Sequence, residues 1–270
     1  MSTLQSSNPA FSSATMDGAD WWSDKTATET ASISGIVNKT GIFATILAAS
    51  GCGGYALIEA RPGLLMPLLI VNLVVTLGAF FLMRGSARMA RNLGVVYSIA
   101  QGLLLGGIAM MLERMLAAQG IAVTGGIALQ AFVVTIGCLF SMLFLYRAGI
   151  LKGGPMFQRV LMVATVGVMV AALLSFVLSF FGVDTMLFNL GNAAGGGTPA
   201  LIGLGMTVFL LGLASLWLII DFRRAEELVA SGAPKEAEWY VAFGLIVTIA
   251  WIYLEALKLI FYLSSMMNRE

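Results

Sequence analysis

Seven apolar runs dominate this chain, at about Thr40 to Ile58, Leu64 to Met83, Leu93 to Leu112, Ile127 to Tyr146, Val160 to Phe181, Ala200 to Ile220 and Trp239 to Leu263. An α-helix rises ~1.5 Å per residue, so ~20 apolar residues cross the ~30 Å of hydrocarbon in a bilayer. Each run is close to that length, and the direct reading is an all-α membrane protein with seven transmembrane helices. The six prolines lie outside the runs or in a first helical turn, where a missing N–H costs nothing, so no kinked span is expected. Residues 35–270 are read as the seven-helix transmembrane domain. Residues 1–34, rich in Ser, Thr, Asp and Ala, are read as a polar, flexible cytoplasmic tail without the apolar core of a signal peptide.

Composition removes several function classes. Hydrophobic residues make up 59% of the chain and charged ones 11%, and the charges cancel to a formal +1, which leaves no basic field to hold nucleic acid. With no histidine, Ser-His-Asp catalysis, His-ligated metals and imidazole pH sensing are absent. No enzyme motif survives, and no cofactor is expected. Cys52 and Cys138 sit in separate apolar runs, far from any metal clamp. Any proton sensor here must be a carboxylate.

Lys and Arg in the loops set the expected orientation. Arg84, Arg88 and Arg91 follow the second span, Arg147, Lys152 and Arg159 the fourth, and Arg223, Arg224 and Lys235 the sixth, whereas the opposite loops carry only Arg61 and Arg114. The amino terminus is therefore expected in the cytoplasm and the carboxyl terminus across the membrane.

Ionisable groups inside a bilayer are costly and are the default functional candidates. Asp221, Glu255 and Lys258 stand out. Glu255 and Lys258 are three apart on the last helix and share one face, along which Thr248, Trp251 and Tyr262 also fall. They either neutralise one another as a buried pair or serve an ion path. Asp221 ends the LWLII run and reads either as an interfacial charge paired with Arg84 or Arg224, or as a site residue. Ser98, Gly102 and Gly106 form a small-residue stripe suited to close helix packing, and Asn72, Gln101 and Gln130 are suited to hydrogen bonds between helices.

Four segments carry a resemblance: FFLMRG with Arg84, VVYSIAQGLLLGGI in the third span, LWLIID ending at Asp221, and WIYLEALKLIFYLSS around Glu255. Together with SSNPAF and IVNKTG they make the chain similar to a bacterial branch of the Bax inhibitor-1/YccA-like family. The resemblance implies six helices in two three-helix layers around a central seventh. It also implies a pH-responsive calcium leak of the bacterial cytoplasmic membrane, gated by a carboxylate pair. Carried over, Asp221 and Glu255 are the pair and the calcium ligands, Arg84 is the latch, and Gln101 and Asn72 are polar positions along a pathway or in helix packing. Two carboxylates in a dry site cannot both ionise cheaply, and calcium prefers hard oxygen ligands. Lys258 stands where channel-type relatives carry a neutral group, and it could hold Glu255 ionised. The Asp221–Glu255 connection is also longer than in compact relatives: a plain hairpin at Gly232 leaves the two unlevel unless residues 236–244 fold back. A different class remains open, a non-transporting adaptor that regulates a membrane protease or a stress response, in which the tail with SSNPAF and Trp21–Trp22 would matter most.

Overall fold

The computed structural model describes residues 29–83, 87–182 and 197–267. Seven long helices account for nearly all of them: α1 (Ile33–Ala60), α2 (Leu65–Met83), α3 (Ala87–Ala117), α4 (Gly126–Arg147), α5 (Pro155–Phe180), α6 (Gly197–Ala230) and α7 (Glu238–Met267). Short 3-10 turns at Pro62–Leu64 and Lys235–Ala237 lead into α2 and α7. All seven are long and apolar enough to cross a membrane. Most helices outrun their apolar stretches because their ends reach past the hydrocarbon; α6 continues through Arg223, Arg224, Glu226 and Glu227 to Ala230.

Local chemistry explains the boundaries. Ser32 caps α1, its Oγ accepting from the Gly35 N–H at 3.0 Å, so the helix begins two residues before the boundary read from composition. Residues 29–32 are also docked: Thr30 bridges Pro234, and the Ala31 N–H donates to Ala233 O at 2.8 Å. Residues 1–28, the rest of the expected tail with SSNPAF and Trp21–Trp22, lie outside the described residues. Pro155 starts α5 where its missing N–H is harmless. Gly232 ends α6 at φ +68°, a left-handed conformation that a side chain would strain.

The interior is built around α7, which packs on α1, α3, α4 and α6. Buried α7 residues such as Ile246, Ile252, Ala256 and Phe261 join apolar clusters contributed by those neighbours. By contrast α2 rests mainly on α3 and α5 on α6, and both leave long apolar rows outward, Leu69 to Leu82 and Val160 to Leu178, as lipid-facing helices do. The small-residue stripe of α3 forms the closest seam. A Cβ on Gly106 would overlap Gly51 O of α1, and one on Gly102 would overlap Ser50 Oγ, so the two backbones touch where only glycine fits.

Candidate functional site

The polar face expected on the last helix is present, with Thr248 and Glu255 buried and Trp251 and Lys258 half-buried. Thr248, Trp251, Glu255 and Lys258 recur at intervals of three and four residues along one stripe of α7. Asp221 of α6 meets its upper end: Thr248 Oγ1 donates to Asp221 Oδ2 at 2.6 Å. One turn on, Trp251 Nε1 donates to Glu255 Oε1 at 3.3 Å. Lys258 Nζ lies 2.7 Å from Glu255 Oε1 in hydrogen-bonding geometry, and 2.6 Å from Oε2 outside it. The i, i+3 pair read from spacing therefore forms.

The two carboxylates do not share a site. Asp221 is level with Gly244 and Thr248, and Glu255 lies seven residues further along α7, about 10 Å at ~1.5 Å per residue. The cause is the connection. Ser231 to Pro234 form a tight turn, Lys235–Ala237 a single 3-10 turn, and α7 then runs straight back along α6. The fold-back that would bring Glu255 level with Asp221 is not made. Among the described residues no three Asp, Glu, Cys or His side chains converge as a metal site. Arg84, the expected latch, lies outside the described residues.

Asp221 lies at the wall of a cavity of about 720 Å³ between α2, α5, α6 and α7. Phe80, Trp217, Phe243, Val247 and Trp251 supply much of its apolar lining, while Arg224, Glu227, Ser231 and half-exposed Tyr240 line it on the side of the α6–α7 turn. Trp251 lines this cavity and bonds Glu255 at once, so its indole stands between the two carboxylates.

Asn72 and Gln101, read as pathway or helix-packing positions, bond to one another. Asn72 Nδ2 donates to Gln101 Oε1 at 2.8 Å, tying α2 to α3, and neither residue lines the Asp221 cavity. Gln130 Nε2 instead caps its own helix approach, donating to Thr124 O at 3.1 Å.

A family model for Bax inhibitor 1 like proteins matches residues 8–265, nearly the whole chain. The chain belongs to the Bax inhibitor 1 like family. Comparison with curated proteins and with solved structures gives no significant match. Within this Bax inhibitor 1 like chain, one further buried carboxylate, Glu238, and one half-buried, Glu113, went unnoticed in the sequence. Glu238 accepts from Lys39 Nζ at 2.5 Å and from the Ser32 N–H at 2.8 Å, pinning the start of α7 to that of α1. Trp239 beside it lies under the cations of Lys39 and Arg91, 5.1 and 5.5 Å from the ring centre. Glu113 accepts from Tyr55 at 2.5 Å and from the Ile127 N–H at 2.8 Å, holding the first turn of α4. Nothing in their local sequence separates either from an ordinary loop charge; only the partners, 206 and 58 residues away for Ser32 and Tyr55, reveal them.

Proposed function

We propose that this protein is a proton-sensitive calcium leak of a bacterial cytoplasmic membrane, with its amino terminus in the cytoplasm. The observation that carries the reading is the line of polar groups that starts at buried Asp221 of α6 and follows α7 from Thr248 past Trp251 to buried Glu255 and its partner Lys258. Buried ionisable groups are expensive in a membrane domain, and those without a full set of partners are the first candidates for ion or proton movement. The two carboxylates act as successive stations, Asp221 reached from the cavity and Glu255 beyond the indole. Calcium at rest takes six to eight oxygens, so two sparse sites suit passage better than storage. Protonating Asp221 removes the negative charge that an entering cation needs, which makes the leak fall as pH falls. Glu255 is held by Lys258, so a cation passing that point must displace the ammonium group. The adaptor reading rests on the segment with SSNPAF and has no buried feature of the helices in its favour.

Calcium flux into liposomes carrying the purified protein, measured at about pH 6, 7 and 8, tests the proposal. Flux should rise with pH in the parent, and Asp221→Asn should flatten the profile. Identical profiles in parent and variant, or no protein-dependent flux, overturn it. Reporters fused at each end test the orientation: activity on opposite sides of the membrane is expected, with the carboxyl-terminal fusion outside.

A further inference from the structure

A second cavity stands at the edge of the bilayer, under the α4–α5 connection. α4 and α5 each rest on α6 rather than on one another. Where their spans end, with Arg147 closing one and Pro155 opening the next, a pocket of about 360 Å³ lies between Tyr146, Arg147, Lys152 and Glu226. Its frame is fixed to α6. Tyr146 lies against Phe222 with ring centres 5.8 Å apart, and its hydroxyl donates to Glu226 Oε2 at 2.6 Å. The Arg223 guanidinium donates to the O of buried Gly153 at 2.7 Å, which pins the residue next to Lys152. The two cations have no such ties. Arg223, Lys235 and Lys258 hold carboxylates, but Arg147 and Lys152 are exposed and, among the described residues, form no ion pair or side-chain hydrogen bond. The one acid in the lining, Glu226, is already engaged by Tyr146.

Two apolar rows lead from this pocket into the membrane. Phe140, Phe144 and Arg147 follow one another at four and three residues along α4, as do Met156, Val160 and Val163 along α5, and all five apolar side chains are exposed. The surface thus carries cations at its head and hydrocarbon-facing side chains below them, and a phospholipid carries phosphate and acyl chains in the same order. We propose that this pocket binds the headgroup of an anionic phospholipid, its phosphate between Arg147 and Lys152 and its chains along the apolar rows of α4 and α5. A guanidinium grips phosphate oxygens with paired donors, and basic pockets between transmembrane helices at this level suit anionic headgroups. A zwitterionic choline lipid would bring an ammonium group against two cations, so the pocket selects for net negative charge. The site uses neither Asp221 nor Glu255 and does not depend on the leak.

Palmitoyl-oleoyl phosphatidylglycerol and palmitoyl-oleoyl phosphatidylcholine, alike in their chains and different in charge, make the test. Each is titrated into the purified full chain in detergent, and bound lipid is counted by native mass spectrometry. The parent should retain the glycerol lipid at least about tenfold better, and the double variant Arg147→Gln with Lys152→Gln should lose that preference. Arg61→Gln removes an exposed cation from the opposite end of the helices and should leave the preference unchanged. Glu226→Gln keeps an acceptor for Tyr146 but removes the pocket's acid, and it should tighten binding of the glycerol lipid severalfold. That variant carries the test if the double variant fails to fold. Millimolar inorganic phosphate should not displace the bound lipid, because it has no chains to set along α4 and α5. Equal retention of the two lipids by the parent, an unchanged preference in the double variant, or a glycerol-lipid affinity in Glu226→Gln no higher than the parent's overturns the proposal. So does an equal loss in Arg61→Gln, which would mark net charge rather than a site, or displacement by inorganic phosphate, which would mark a soluble anion as the ligand.

Discussion

Glu238 and Asp221 are both buried carboxylates near the α6–α7 turn, 0% and 5% exposed, yet their surroundings differ in kind. Glu238 has an ammonium group, a backbone N–H and the Ser32 hydroxyl around it, and a Cβ on Gly35 would collide with its oxygens. Among the described residues Asp221 accepts from one neutral hydroxyl, feels the charge of Arg224 without an ion pair to it, and faces a cavity. A charge that is fully partnered and tightly enclosed holds helices together. One that is buried with spare capacity facing open space is available to something that arrives. Burial alone separates neither from the other; the count of partners does. Glu255 falls between them: among the described residues it has one lysine and one indole as donors and no hydroxyl or backbone N–H.

The sharpest way to break this contrast is to remove the cation from the enclosed site. Lys39→Met should strand Glu238 and destabilise the protein by about 3–5 kcal/mol, read as a lower unfolding temperature in detergent. Adding Glu238→Gln should recover much of the loss, because the unpaired charge goes with it. Lys258→Met should be milder, about 1.5–3 kcal/mol, since Lys258 is 19% exposed and Trp251 still donates to Glu255. Its double variant with Glu255→Gln should again be more stable than the single. A single variant that melts and conducts like the parent would show that Lys258 serves neither role. Thr248→Val removes one hydrogen bond to a carboxylate that faces a cavity, and about 1 kcal/mol is expected in the same unfolding measurement. Asp221→Asn should change stability least, near zero or a slight gain, because a buried charge without a full partner becomes neutral. Its effect should appear in flux instead, as a lost pH dependence. If Asp221→Asn melts as far below the parent as Lys39→Met, Asp221 is a second brace and the contrast fails.

Much of the molecule could be read without coordinates where a local rule applies. The bilayer fixes the length of each span, so seven apolar runs become seven helices. Helical periodicity places Glu255 beside Lys258, continues their face through Trp251 and Thr248, and sets Gly102 and Gly106 in the α1–α3 seam. The partner of Asp221 was not legible in that way. A change of one turn in the α6–α7 connection moves a different α7 residue opposite it, and family resemblance pointed to Glu255 where the turn at Gly232 delivers Thr248.

The sequence by itself thus determined the helices, their faces and the presence of Asp221, Glu255 and Lys258 on them, because a membrane allows few alternatives for a polar group or an open backbone. Only the tertiary structure decided which buried charges are satisfied. Whether Glu238 finds Lys39, 199 residues away, and whether Asp221 finds an ammonium group or a cavity, depends on the register between helices. That register is set by the packing of many side chains at once, and no local pattern in any one helix records it.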